Sequence, residues 1–134
     1  MRVNGSCHCG AIQYEAKIDI HAAMICHCTD CQTLSYTAFR VNVPASAEDF
    51  KLTKGVPKEY VKIGESGRPR AQGFCSNCGT QIYATSAEED RSTFMLRVGA
   101  MKERSRVIPK IQSWNQSALK WIRNLQTIPT QEKS

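Results

Sequence analysis

The chain has 134 residues, a formal net charge of +6 and 41% hydrophobic residues. This length suits one domain with a modest core. No apolar run approaches the roughly 20 residues of a membrane span, and the opening Met1 to Ser6 is too short and polar for a secretory signal. We therefore expect a cytoplasmic protein without membrane association.

The positive charge is concentrated in residues 97–123, where seven basic residues accompany one acid, while the remainder has eleven of each. The basic residues are Arg97, Lys102, Arg104, Arg106, Lys110, Lys120 and Arg123. This basic segment is either a solvated face or a docking surface for an anion, meaning a small carboxylate-bearing ligand or a nucleic-acid backbone. No compact Lys/Arg run is present, which argues against nucleic acid.

The chain opens with a C-x-C pair, Cys7 and Cys9, and Gly10 permits the tight turn that would close this loop around a metal. Residues 11–16 alternate apolar and polar, which predicts a half-buried strand. A C-x-C-x2-C group follows, made of Cys26, Cys28 and Cys31.

The residues after Cys28 favour either a short helix or an irregular metal loop. Thr29 and Gln32 have the spacing of a capping box, which would start a helical turn at Thr29. Residues 36–43 then alternate again, with Phe39, Val41 and Val43 on one face, and Pro44 is expected to end this strand.

The rest of the chain predicts more short strands and one further short helix. A C-x2-C knuckle, Cys75 and Cys78, lies between predicted strands and is followed by Gly79. The remaining strands are expected near residues 50–54, 59–63, 80–84, 92–98 and 108–114, and a helix near 117–123. Strands at roughly ten-residue spacing predict a single all-β domain over 1–128, with a flexible tail at 129–134.

Seven cysteines is an odd number, which argues against a disulfide framework and favours metal binding. Zinc is the usual metal for sulfur ligands; structural sites take four protein ligands and catalytic sites take three. Four cysteines in the outer pairs and three in the middle group therefore predict one closed and one open zinc site. The alternative for the middle group is a second structural zinc with a histidine as fourth ligand, for which His8, His21 and His27 are the candidates.

The three cysteine groups with their neighbours resemble the glutathione-dependent formaldehyde-activating enzyme family, which includes the centromere protein V group. The matching stretches are Gly5-Ser6-Cys7-His8-Cys9-Gly10, Cys26-His27-Cys28-Thr29-Asp30-Cys31 and Phe74-Cys75-Ser76-Asn77-Cys78-Gly79-Thr80. The resemblance runs from Gly5 to about Trp121. It implies a β-tent, Mss4-like fold with zinc-clamped hairpins. It also implies a structural zinc on Cys7, Cys9, Cys75 and Cys78, and a catalytic zinc on Cys26, Cys28 and Cys31.

The same resemblance implies a carbon–sulfur lyase reaction in which glutathione and formaldehyde give S-hydroxymethylglutathione. One position departs from the family pattern: Tyr36 stands where the family tends to have a glycine. Its phenol would either narrow the pocket or supply a hydrogen bond.

Related chemistry on another thiol adduct is a further hypothesis. The main rival is a non-enzymatic, zinc-stabilised module that docks an acidic protein or nucleic acid through the basic segment. The sequence leaves the oligomeric state open.

Overall fold

Ten short strands and one α-helix make up the regular structure in the computed structural model, which describes residues 1–134. The strands are β1 (Arg2–Ser6), β2 (Gln13–Lys17), β3 (Met24–Cys26), β4 (Arg40–Ser46), β5 (Phe50–Lys54), β6 (Lys58–Ile63), β7 (Pro69–Phe74), β8 (Gln81–Ser86), β9 (Thr93–Arg97) and β10 (Ile111–Ser113). The helix, α1 (Thr29–Ser35), lies between β3 and β4, and short 3-10 turns connect other strands. The predicted all-β, Mss4-like fold is confirmed.

The strands form two sheets. The smaller has the order β1-β2-β5, and the larger has the order β10-β3-β4-β9-β8-β7-β6. Every pairing is antiparallel except that of β10 with β3. No helix is long and apolar enough to cross a lipid bilayer.

The hydrophobic core lies where the two sheets meet. Phe50 of the smaller sheet places its ring centroid 5.3 Å from that of Tyr14, 5.7 Å from that of Tyr83 and 4.9 Å from that of Phe94. Burial of these rings and of aliphatic side chains from both sheets supplies most of the driving force for folding. The core also includes the side chains of Cys7 and Cys75, so the outer cysteine pairs are built into its edge.

The opposite face of the larger sheet is buried too, but by polar side chains. Alternation along β4 turns Val43 and Ala45 toward the core, and it turns Arg40 and Asn42 to the other side. Arg97 of β9 pairs in register with Asn42. The larger sheet therefore separates an apolar core from a buried polar layer.

Three local predictions are changed by the structure. α1 begins at Thr29 as expected, but its N-cap is Cys28, and Gln32 instead donates its side-chain N–H to the carbonyls of His27 and Ser117. Pro44 lies inside β4 and does not end it. β3 pairs with β4 only at residues 40–42, so one side of β4 has no partner strand at Pro44, which is a position where a strand tolerates proline. Residues 120–127 form 3-10 turns in place of the predicted α-helix.

Candidate metal centres and their surroundings

The structure brings the four outer cysteines together. The Sγ atoms of Cys7, Cys9, Cys75 and Cys78 all lie within 4.8 Å of one another. Cys7 Sγ is 3.6 Å from Cys9 Sγ, and Cys9 Sγ is 3.8 Å from Cys75 Sγ. These separations are far longer than a disulfide bond of about 2.05 Å. They match the spacing of about 3.8 Å between sulfurs on a tetrahedral zinc with bonds of about 2.3 Å. The donor set therefore fits a closed zinc site.

Backbone N–H groups point at these sulfurs. The N–H of Ile12 donates to Cys7 Sγ at 3.2 Å, and that of Cys78 donates to Cys75 Sγ at 3.5 Å. Both loops turn through glycines with positive φ, Gly10 at 80° and Gly79 at 79°. Such N–H···S bonds stabilise thiolates and orient them toward a shared ion.

Cys26, Cys28 and Cys31 form the second cluster, and their Sγ atoms also lie within 4.8 Å of one another. Cys26 ends β3, while Cys28 caps α1 by accepting the N–H of Cys31 on its sulfur at 3.2 Å. Cys31 is buried, and the other two are partly exposed. The capping sulfur places the N-terminus of α1 at the cluster.

Cys26 and Cys31 have pKa values shifted in opposite directions. A hydrogen bond from Cys31 lowers the pKa of Cys26 to about 5, against the opposing effect of burial, and the charge of Arg40 lowers it further. The same bond, together with burial, raises the pKa of Cys31. Cys26 is therefore the thiol of this pair that ionises more readily.

No histidine joins the three cysteines. The two clusters contain only cysteine donors. The ring of His27 is buried, and its Nε2 pairs with Oε1 of Gln112 at 2.7 Å. His8 and His21 are exposed and belong to neither cluster. The protein thus offers this cluster three donors and no fourth.

A cavity of about 340 Å³ opens at Cys28. Trp114 and Arg70 line it, together with the ion pair that Lys62 forms with Asp30 at 2.7 Å. Trp114 has a left-handed backbone, with φ of 57°, a conformation that costs an ordinary residue about 1 kcal/mol or more. The indole at the cavity wall offers a bound molecule an apolar surface, and the cations offer it polar contacts.

A second cavity, of about 500 Å³, lies at the other end of α1, and we call it the Tyr36 cavity. Its walls include Tyr36, Gly79 and two arginines of the polar layer, Arg40 and Arg97. Tyr36 closes α1 with φ of 64° and is 77% exposed. This is the left-handed region that glycine enters without strain, which explains why a glycine suits the position in the family pattern.

A family model described as glutathione-dependent formaldehyde-activating enzyme matches residues 2–117. The chain belongs to this family. A crystal structure of a Rhodobacter sphaeroides protein is similar in fold, with a TM-score of 0.61 and 17% sequence identity. The likeness covers 82% of this chain and 99% of the other. Membership supports a glutathione-related, formaldehyde-activating function for the chain.

The residues of the basic segment differ in burial. Arg97 is only 6% exposed and lies in the polar layer, whereas the other six basic residues are on the surface. Sequence reasoning included Arg97 only as part of a charged stretch and missed Arg40, Asn42 and Gln72 entirely. No local signal marks them, because Arg40 and Asn42 read as the polar positions of an alternating strand and Gln72 lies outside the predicted strands.

Proposed function

We propose that this chain is a zinc-dependent, carbon–sulfur lyase-type enzyme. It binds a thiol, glutathione or a related molecule, at Cys26, Cys28 and Cys31. It acts on an aldehyde or on a thiol adduct such as S-hydroxymethylglutathione. The observation that carries the proposal is a three-thiol cluster, without a fourth protein donor, at the wall of a cavity. A second zinc, on Cys7, Cys9, Cys75 and Cys78, stabilises the fold.

Zinc at the three-cysteine site would promote ionisation of a substrate thiol and hold the thiolate in place. In the synthetic direction, the thiol sulfur bonds to the aldehyde carbon and the thiol proton ends on the aldehyde oxygen; the lyase direction reverses both changes. The cavity at Cys28 supplies the binding surface. Trp114 offers apolar contact there, and Arg70 and Lys62 attract the carboxylates of a glutathione-like molecule.

Cobalt substitution tests this proposal, because cobalt–thiolate charge-transfer bands report the number of bound sulfurs. Reduced glutathione should intensify the bands of the doubly substituted protein, and oxidised glutathione, which lacks a free thiol, should not. Cys28→Ser should abolish the response while the bands of the four-cysteine site persist. If no thiol changes the spectrum, the three-cysteine site is closed, and the binding-module hypothesis replaces the enzyme.

A further inference from the structure

Two buried arginines stand beside the three-cysteine cluster without a carboxylate partner. Arg40 and Arg97 are each 6% exposed. The ion pairs of the structure lie elsewhere, between Lys62 and Asp30 and between Arg91 and Glu59. Burying a guanidinium without an opposite charge is among the costliest arrangements in a protein. A compensating negative charge is therefore expected close by.

The hydrogen bonds of the pair are made to neutral amides. Oε1 of Gln72 accepts from Arg40 Nη1 at 3.3 Å and from Arg97 Nη2 at 2.6 Å. Oδ1 of Asn42 accepts from Arg97 Nη1 at 2.6 Å. The Nε and Nη2 of Arg40 and the Nε of Arg97 are buried and have no partner. Because guanidinium nitrogens only donate, the missing partners are acceptors.

The cysteine cluster supplies the negative charges that act on this pair. Cys26 is the register partner of Arg40 across β3 and β4. Burial, together with the charges of Arg40 and Arg70, lowers the pKa of Arg97 to about 9, and the charges of Cys31 and Cys26 act in the opposite direction. Three thiolates around a divalent cation leave one net negative charge, against two on the arginines. One further negative charge is needed to balance the assembly.

We propose that Arg40 and Arg97 form an anion-selecting subsite that makes the three-cysteine site prefer a molecule carrying negative charge over a neutral or cationic one of the same size. This inference rests on the proposed function and names the substrate class of that site. The charge arrives either as the thiolate itself or as a carboxylate, and the Tyr36 cavity, which both arginines line, gives a carboxylate its access.

The unmodified protein gives the first test. Mercaptoacetate, 2-mercaptoethanol and 2-mercaptoethylamine are two-carbon thiols that carry a negative, a neutral and a positive second group. The affinity of each thiol for the cobalt-substituted full chain is corrected for the fraction of the thiol that is ionised. The corrected affinities should fall in that order, by at least tenfold from mercaptoacetate to 2-mercaptoethylamine. Equal affinities, or the reverse order, would overturn a subsite that selects by charge through a carboxylate.

Arginine variants give the second test. Arg40→Gln and Arg97→Gln should each weaken mercaptoacetate at least tenfold and change the affinity for neutral imidazole less than twofold. Arg97→Lys should recover part of the loss because it restores the charge. Arg104→Gln, at an exposed position, is the matched control and should bind as the unmodified protein does. Equal losses for mercaptoacetate and imidazole would show a merely structural role and overturn the inference.

Glycolate, which replaces the sulfur of mercaptoacetate by oxygen, separates the two sources of charge. Competition by glycolate that is lost in the variants places a carboxylate on the arginines. If the arginine variants weaken thiol binding but glycolate does not bind, the thiolate is the negative charge that lies on the arginines. If no thiol binds the unmodified protein, the proposed function fails. The anion subsite survives that result only if glycolate still binds and the arginine variants abolish its binding.

Discussion

His27 turns its Nε2 to Oε1 of Gln112, 2.7 Å away, although it stands in the sequence between Cys26 and Cys28. The amide oxygen accepts, so Nε2 carries the proton. The ring also packs edge-on against Phe39, with centroids 5.7 Å apart. Gln112 follows the start of β10, so this bond ties the last strand of the larger sheet to the loop of the cluster.

His27→Ala should therefore damage stability and leave the metal site intact. Removing a buried ring and its hydrogen bond should cost roughly 2–4 kcal/mol of unfolding free energy. Metal content and the cobalt–thiolate spectrum should not change. His21→Ala, at an exposed position, should alter neither property. Loss of one metal equivalent in His27→Ala would make the histidine a ligand and the site closed.

The two cysteine clusters should respond differently to serine substitution. Cys78→Ser should unfold or aggregate the protein, because binding of a structural zinc contributes about 10–16 kcal/mol, as much as the whole stability of a domain. Cys28→Ser should keep the fold, since a serine hydroxyl can replace the sulfur as cap of α1. Circular dichroism, thermal melts and metal analysis test this. Equal damage in both variants would contradict the division into structural and catalytic sites.

Two metal equivalents of unequal affinity are expected in the purified protein. The three-donor cluster should lose its metal first under mild chelation, because it has fewer protein ligands and a cavity at Cys28. The four-donor cluster should resist, since Cys7 and Cys75 are each only 2% exposed. Metal analysis during a chelator titration should show two steps. One equivalent in total, or a single step, would contradict this.

Gly5→Ala should destabilise the smaller sheet. A Cβ on Gly5 would lie 1.9 Å from Cε1 of Tyr14, whose ring is buried in the core. Displacing this ring should cost about 1–3 kcal/mol, measured by chemical denaturation. Gly99→Ala is the matched control, because a Cβ at Gly99 would have no atom within 4 Å and its φ is not positive. Equal stabilities of the two variants would show that β1 shifts freely.

Tyr36→Gly should stabilise the protein by about 1 kcal/mol, because glycine accepts the left-handed end of α1 without strain. The Tyr36 hydroxyl makes no hydrogen bond, and the ring lines the cavity. We therefore expect the phenol to narrow the pocket and not to supply a hydrogen bond to the ligand. Glutathione should thus bind tighter to Tyr36→Gly and unchanged to Tyr36→Phe. Tyr36→Ala should also bind glutathione more tightly, because the ring is gone. It should not gain stability, because its Cβ keeps the strain of the left-handed backbone. Weaker binding to Tyr36→Phe would assign the hydroxyl to the ligand.

The grouping of the cysteines into two clusters could be predicted from the sequence because the spacing within each cysteine motif is a local signal. Cys26, Cys28 and Cys31 lie within six residues, and the outer pairs have the spacing of zinc knuckles. The all-β class followed from short alternating segments. The polar layer could not be predicted in this way. The alternation places Phe39, Val41 and Val43 on one face of the strand, and Val43 is fully buried. Arg40 and Asn42, on the other face, are nevertheless more deeply buried than Phe39 and Val41. Both faces of β4 are covered, and the covering residues are distant in sequence.

The separation of the cysteines along the chain has a consequence for how the protein is made. All three donors of the middle cluster are present once Cys31 has been synthesised, so an ion can meet them on a nascent chain. Cys7 and Cys9 must wait for Cys75 and Cys78, and during that interval they are a bare dithiol open to oxidation or to the wrong metal. Metal binding by both clusters would therefore load the middle cluster first, although that cluster is expected to lose its metal first. A shortage of metal late in synthesis would leave chains in which the middle cluster holds a metal ion and the outer cluster does not.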